Sequence, residues 1–150
     1  MLTIILDNPL SPYLIVRNAA QAIKFYETVL GAREGFRISE PNGKIGHAEL
    51  FIAESKFMLA DEYPDFGALG PDSVGGSPVS LHLYVKDIDA IMALAEKHGA
   101  TILKFPKDEF FGDRSGLFLD PFGHRWHIAT RKEHVSPEEM QKRFNNAIQQ

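Results

Sequence analysis

One pattern is written twice in this chain, and a repeat of that length restricts what the chain can fold into. Val16 recurs as Val85, an offset of 69. Ala22-Ile23 recurs as Ala90-Ile91 and Gly31-Ala32 as Gly99-Ala100, both at 68. Phe57-Met58-Leu59-Ala60 returns as Trp126-His127-Ile128-Ala129, again at 69. One residue of slippage over such a stretch fits two copies of one half-domain, and the period is too long for a solenoid unit. The 150 residues hold one domain's worth of protein, so the copies are halves of a single body.

Each copy reads in the same order. Residues 12–16 are β-branched and aromatic, a strand. Asn18 offers an N-cap with Gln21 three residues on, the spacing of a capping box. Ala19, Ala22, Ile23, Tyr26, Val29 and Leu30 follow on one helical face, and Gly31 supplies the left-handed stop. Alternating stretches at 33–39, 46–53 and 56–61 read as three strands, with turns at Pro41-Asn42-Gly43 and Glu54-Ser55. Residues 63–78 are rich in Gly, Pro and Asp, a linker. The order then restarts with a strand at 79–85. Asp87 caps a helix bearing Ile88, Ile91, Met92 and Ala95, Gly99 closes it, and strands follow at 101–107, 115–119 and 125–130. Ser136-Pro137-Glu138-Glu139 starts a last helix. Its stripe of Met140, Phe144 and Ala147 or Ile148 is expected to pack on the body or on a partner subunit. The expected organisation is a first module over 11–62, a linker over 63–78, a second module over 79–131 and a C-terminal helix over 136–148.

Charge and composition exclude several function classes. Sixteen basic against twenty acidic side chains leave −4, the wrong sign for a nucleic-acid partner. The absence of cysteine removes a disulfide scaffold, a thiolate zinc site and a cysteine nucleophile. No apolar run approaches the ~18 residues of a membrane span. Residues 1–6 are apolar but short, lack a basic flank and run into Asp7-Asn8-Pro9, which does not read as a signal peptide. A cytoplasmic protein without membrane partners is the expectation.

Four motifs narrow the fold: Pro12-Tyr13-Leu14, Lys24-Phe25-Tyr26, Phe111-Gly112-Asp113-Arg114 and Asp120-Pro121-Phe122-Gly123-His124-Arg125-Trp126. With the doubled module they resemble the vicinal oxygen chelate superfamily of glyoxalase, bleomycin-resistance and extradiol-dioxygenase folds, in its PhnB-like branch. The resemblance implies an α+β fold in which two tandem βαβββ modules form a concave eight-stranded mixed sheet around a cleft, followed by a C-terminal helix. It also implies a homodimer, which would cover the open edge strands.

The superfamily's metal enzymes place four ligands at positions that fall here on Ser11, Met58, Ser80 and His127. Two hydroxyls, a thioether and one imidazole are not the donors a hard or borderline divalent ion selects, so no cofactor is expected. Strand alternation from those positions turns Ser80, His82 and Tyr84 toward the cleft, with Tyr13, Arg125 and His127. His47, Glu49 and Phe51 share another face, placed inward. Phe110 and Phe111 either stack on a flat ligand or divide between core and rim. Arg114 either clamps an anion or pairs with Asp113 or Asp120. The candidate ligand-binding residues are therefore Tyr13, His47, Glu49, Ser80, His82, Tyr84, Phe110, Phe111, Arg114, Trp126 and His127, with His127 the candidate general base. The expected function is a metal-free protein that sequesters a partly aromatic small molecule. The alternative is a metal-dependent lyase, isomerase or dioxygenase-type enzyme using a nonstandard His/Glu site.

Overall fold

The structure, a computed structural model, describes residues 9–149. The apolar stretch at 1–6 lies outside the described residues. The elements run β1 (Tyr13–Val16), α1 (Ala19–Leu30), β2 (Arg33–Ser39), β3 (Ile45–Ile52), β4 (Ser55–Asp61), α2 (Pro71–Val74), β5 (Ser80–Tyr84), α3 (Ile88–Lys97), β6 (Thr101–Asp108), β7 (Asp113–Leu119), β8 (Arg125–Arg131) and α4 (Pro137–Ile148). The α+β fold and its eight strands are as the repeat implies. They form two four-stranded sheets of one topology, β1-β4-β3-β2 and β5-β8-β7-β6. In each, the first strand pairs in parallel with the last and the other pairings are antiparallel. The linker is more ordered than its composition suggests. Pro64 and Pro71 open a 3-10 turn and the one-turn α2, and left-handed Gly67 and Gly75 close them.

The chain divides into two compact units. The first runs through Pro78 and adds Pro121–His124, and the second takes Val79–Asp120 and the chain from Arg125 onward. The break at 78 falls where the linker ends. Residues 121–124, which the repeat assigns to the second module, group with the first unit for a packing reason. Phe122 is buried with its ring 6.4 Å from Phe25 and 6.5 Å from Tyr26. The His124 ring nitrogen Nε2 lies 2.9 Å from the Ile15 carbonyl oxygen.

Helices α1 and α3 begin the same way. The Asn18 and Asp87 side chains accept from the amides of Gln21 and Ala90, satisfying N–H groups that have no partner within the helix. A side chain at the end of each unit's last strand takes the amide of the first helical residue. Asp61 Oδ1 accepts from Ala19 at 2.9 Å, and Thr130 Oγ1 accepts from Ile88 at 3.0 Å. Beneath α1 the first core gathers Val16, Ile23, Tyr26, Val29, Leu50 and Leu59. Tyr26 meets Phe57 edge-on at 5.6 Å. Beneath α3 the second core holds Ile88, Met92, Ile128 and the stacked pair Phe118 and Trp126 at 6.4 Å.

In α4, Ser136 accepts from the Glu139 amide at 3.1 Å, as the capping motif requires. Of the stripe expected to pack, Phe144 meets Phe110 at 5.9 Å yet remains 45% exposed, while Arg143 donates to the Phe110 carbonyl and to Glu133 and Glu139. Met140 and Ile148 stay exposed. No described helix is long and apolar enough to cross a membrane.

Candidate functional site

A helix covers one face of each sheet, and strand alternation sends the intervening side chains to the other face. In the second unit the face away from α3 is ordered into three cross-strand rows. Ser80 pairs with Arg125 and Arg125 with Leu119. His82 pairs with His127, then Leu117, then Lys104. Tyr84 pairs with Ala129, then Ser115, then Lys107. The opposite face is fixed by Gly116, where an added Cβ would stand 3.0 Å from the Met92 methyl of α3.

These rows floor a cavity of about 630 Å³ lined by Ser80, Lys104, Phe105, Lys107, Glu109, Phe111, Ser115, Gly116, Leu117, Arg125 and His127. That lies within the about 300–1,000 Å³ range of small-molecule sites. The His127 ring meets His82 edge-on at 4.8 Å, and His82 meets Tyr84 at 4.7 Å. Burial, then the neighbouring His82 and Lys104, lower the His127 pKa below the ordinary histidine value. A neutral imidazole near pH 7 can accept or shuttle a proton. Beside it, Arg131 stacks over the Tyr84 ring at 4.8 Å and donates to its hydroxyl at 2.7 Å. That hydroxyl donates to buried Asp113 at 3.3 Å.

The first unit carries a different arrangement. The Tyr13 hydroxyl lies 2.8 Å from His47 Nδ1, and His47 Nε2 lies 3.2 Å from Glu49 Oε2. Lys56 Nζ stands 3.9 Å from Glu49. An ionised Glu49 can only accept, so the network assigns the imidazole proton to Nε2 and makes Tyr13 the donor to Nδ1. Burial and the Glu49 charge push the Tyr13 phenol above its ordinary value, keeping it protonated.

The residues singled out in the sequence therefore separate. Ser80, Phe111 and His127 line the cavity. His82 and Tyr84 share its strand face. Tyr13, His47 and Glu49 meet one another in the first unit. Three expected ligand contacts lie elsewhere. Trp126 is buried on the α3 side of β8 and donates to Asp120 at 3.0 Å. Arg114 also faces α3 and grips Asp89 with two bonds of 2.9 and 3.0 Å, with Asp108 at 3.3 Å; it pairs with neither Asp113 nor Asp120. Phe110 turns to Phe144 on α4.

Lys104, Phe105, Lys107, Glu109, Ser115, Gly116 and Leu117 are the cavity residues that sequence reading missed. The ladder between β6 and β7 shifts register between Ile102 and Lys104 and again between Lys104 and Lys107. Each bulge re-aims the side chains beyond it. Pro106, inside the strand, was the available signal.

The four positions that the resemblance marks for metal ligands do not fit a divalent ion. Ser11 and Met58 stand in the first unit and Ser80 and His127 in the second. Hydroxyl and thioether side chains replace the carboxylates and imidazoles such an ion selects. Among the described residues, no three His, Cys, Asp or Glu side chains converge as a ligand set.

Comparison with known proteins follows the same outline. Residues 8–128 match the Glyoxalase/Bleomycin resistance protein/Dioxygenase superfamily. An uncharacterized protein of Mycobacterium tuberculosis is 41% identical over 135 residues, covering 88% of this chain and 79% of its own. The X-ray structure of an Arabidopsis thaliana gene product superposes with a TM-score of 0.66 at 28% identity, covering 80% of this chain and 96% of that one. The fosfomycin resistance protein FosX of Listeria monocytogenes, solved with Mn(II) and sulfate, shares the fold with a TM-score of 0.63 at 17% identity, covering 90% and 95%.

Proposed function

Because this chain belongs to the Glyoxalase/Bleomycin resistance protein/Dioxygenase superfamily, we propose that it is a small-molecule-binding protein that takes a compact, partly aromatic compound without a bound divalent ion. The observation that carries this reading is the cavity over the second sheet. Its volume of about 630 Å³ suits one small ligand, and Phe105, Phe111 and Leu117 supply its apolar walls. Ser80, Ser115 and His127 add a few polar groups to orient what enters. The donor chemistry at the four family positions supports the metal-free part.

A thermal-shift screen of planar metabolites, quinones and aromatic glycopeptides tests the reading. The expected result is a stabiliser whose amide chemical-shift changes map to Ser80, Ser115 and His127. No stabiliser from any aromatic class, together with turnover of a small 2-oxo substrate, would overturn it. Elemental analysis of protein purified without chelator checks the second half. Near-stoichiometric zinc, nickel, manganese or iron, lost in a His127→Ala variant, would replace passive binding with metal-dependent chemistry.

A further inference from the structure

The charge on the cavity wall narrows the ligand class, in an inference that rests on the ligand-binding reading above. Lys104, Lys107 and Arg125 line a cavity that contains one carboxylate, Glu109. Lys107 reaches Glu109 at 4.0 Å. Among the described residues, no carboxylate stands within ion-pair distance of Lys104 or Arg125. The Arg125 guanidinium donates to a neutral acceptor, the Ser80 hydroxyl, at 3.3 Å. Of the other described arginines, Arg17, Arg37, Arg114, Arg131 and Arg143 each meet a carboxylate, and Arg33 lies over the Phe51 ring. A chain of net charge −4 has acidic groups to spare, yet Glu109 answers only Lys107 on this wall.

We propose that the cavity recognises an anionic oxygen group, a carboxylate or a phosphate, carried on an aromatic or apolar body. The planar fork of Arg125 matches two oxygens of such a group, and Lys104 adds a point charge beside His127. Phe111 and Leu117 take the body. Burying apolar surface there strengthens the attraction by removing water from around the charges.

The test uses three probes of one shape: 1-naphthoate, 1-naphthyl phosphate and the neutral 1-naphthamide. Binding is followed by amide chemical shifts on the whole chain. At least one anion is expected to bind about tenfold more tightly than the amide, with shifts centred on Ser80, Lys104, Ser115 and His127. Lys104→Gln and Arg125→Gln alter exposed or half-buried side chains and leave the core intact. Each should weaken the anion about tenfold while changing the amide by less than about twofold. Anions that bind no better than the amide would overturn the charge selection and leave the ligand-binding reading standing. Shifts centred on Lys86 and Arg131 would overturn the assignment to this cavity. If none of the probes binds, the inference falls together with the reading beneath it.

Discussion

Tyr13, Met58, Glu49 and Phe36 form one cross-strand row of the first unit. At offsets of 69 or 68, the second unit has His82, His127, Leu117 and Lys104 in the corresponding row. The frame that carries the two rows is shared down to the left-handed glycine after each helix, Gly31 and Gly99. The chemistry is not shared. Around the first row Glu49 answers His47 and His47, from the row's flank, answers Tyr13, and Lys56 balances the carboxylate, so the polar groups satisfy one another. In the second row Leu117 stands between Lys104 and His127, and among the described residues no carboxylate lies within ion-pair distance of Lys104. The cores differ in the same sense. Among the described residues, Tyr26, Ile23, Leu50, Leu59, Val16, Val29 and Ile45 are fully buried large side chains of the first unit, against Phe118, Ile88 and Ile128 in the second. One copy completely buries more of its large side chains, and the other presents cations without a carboxylate partner. A duplicated fold can divide labour this way, because binding chemistry tolerated on one face need not be supported by its twin.

The sharpest way to break this comparison is at the side chain that ties the last strand to the helix. Asp61 is buried and takes two amides, Ala19 at 2.9 Å and Ile45 at 2.7 Å. Thr130, its counterpart, takes one, Ile88 at 3.0 Å. Asp61→Ala should cost about 3–5 kcal/mol, since two buried N–H groups lose a charged acceptor. Thr130→Val strands one N–H and should cost about 1–2 kcal/mol. Urea denaturation measures both, and equal losses would show that the two ties are equivalent.

Next in size is the titration of His127. Burial is the main cause of its lowered pKa, followed by His82 and Lys104. Its proton NMR midpoint should fall below the ordinary histidine value of about 6.5 and rise in His82→Gln and Lys104→Gln variants. The unfolded chain then binds the proton before the native one does. This residue's contribution to stability is therefore present above about pH 6.5 and lost as pH falls through the native midpoint. A midpoint unchanged in both variants would sever the electrostatic link between His127 and its row.

The smallest expected effect belongs to the first unit. Glu49→Gln should bring the Tyr13 phenol back toward its ordinary value, read by ultraviolet absorbance at high pH, because one of the two causes of its elevation is gone. An unaltered phenol would mean that burial alone sets it.

What could be read from the sequence was what depends on near neighbours. Asn18, Asp87 and Ser136 act within three residues of themselves, so cap, helix face and glycine stop are written locally. Face assignments by simple alternation succeeded on regular β5 and β8, where Ser80, His82, Tyr84 and His127 point as expected. No face was assigned on β6, where alternation does not apply: its bulges carry Lys104 into the row of His127, whereas alternation counted from Ile102 puts that lysine on the other face. Arg114 was illegible for a different reason. Its partner Asp89 lies 25 residues away on α3, and only tertiary packing brings the two together.

Phe122 has a consequence for dissection of the chain. Its ring completes the core around Phe25 and Tyr26, though it is encoded far beyond Pro78. A gene cut at the repeat boundary would thus deliver a leading fragment with a gap in its own interior. A self-standing half rebuilt from this one would need a substitute side chain at that spot.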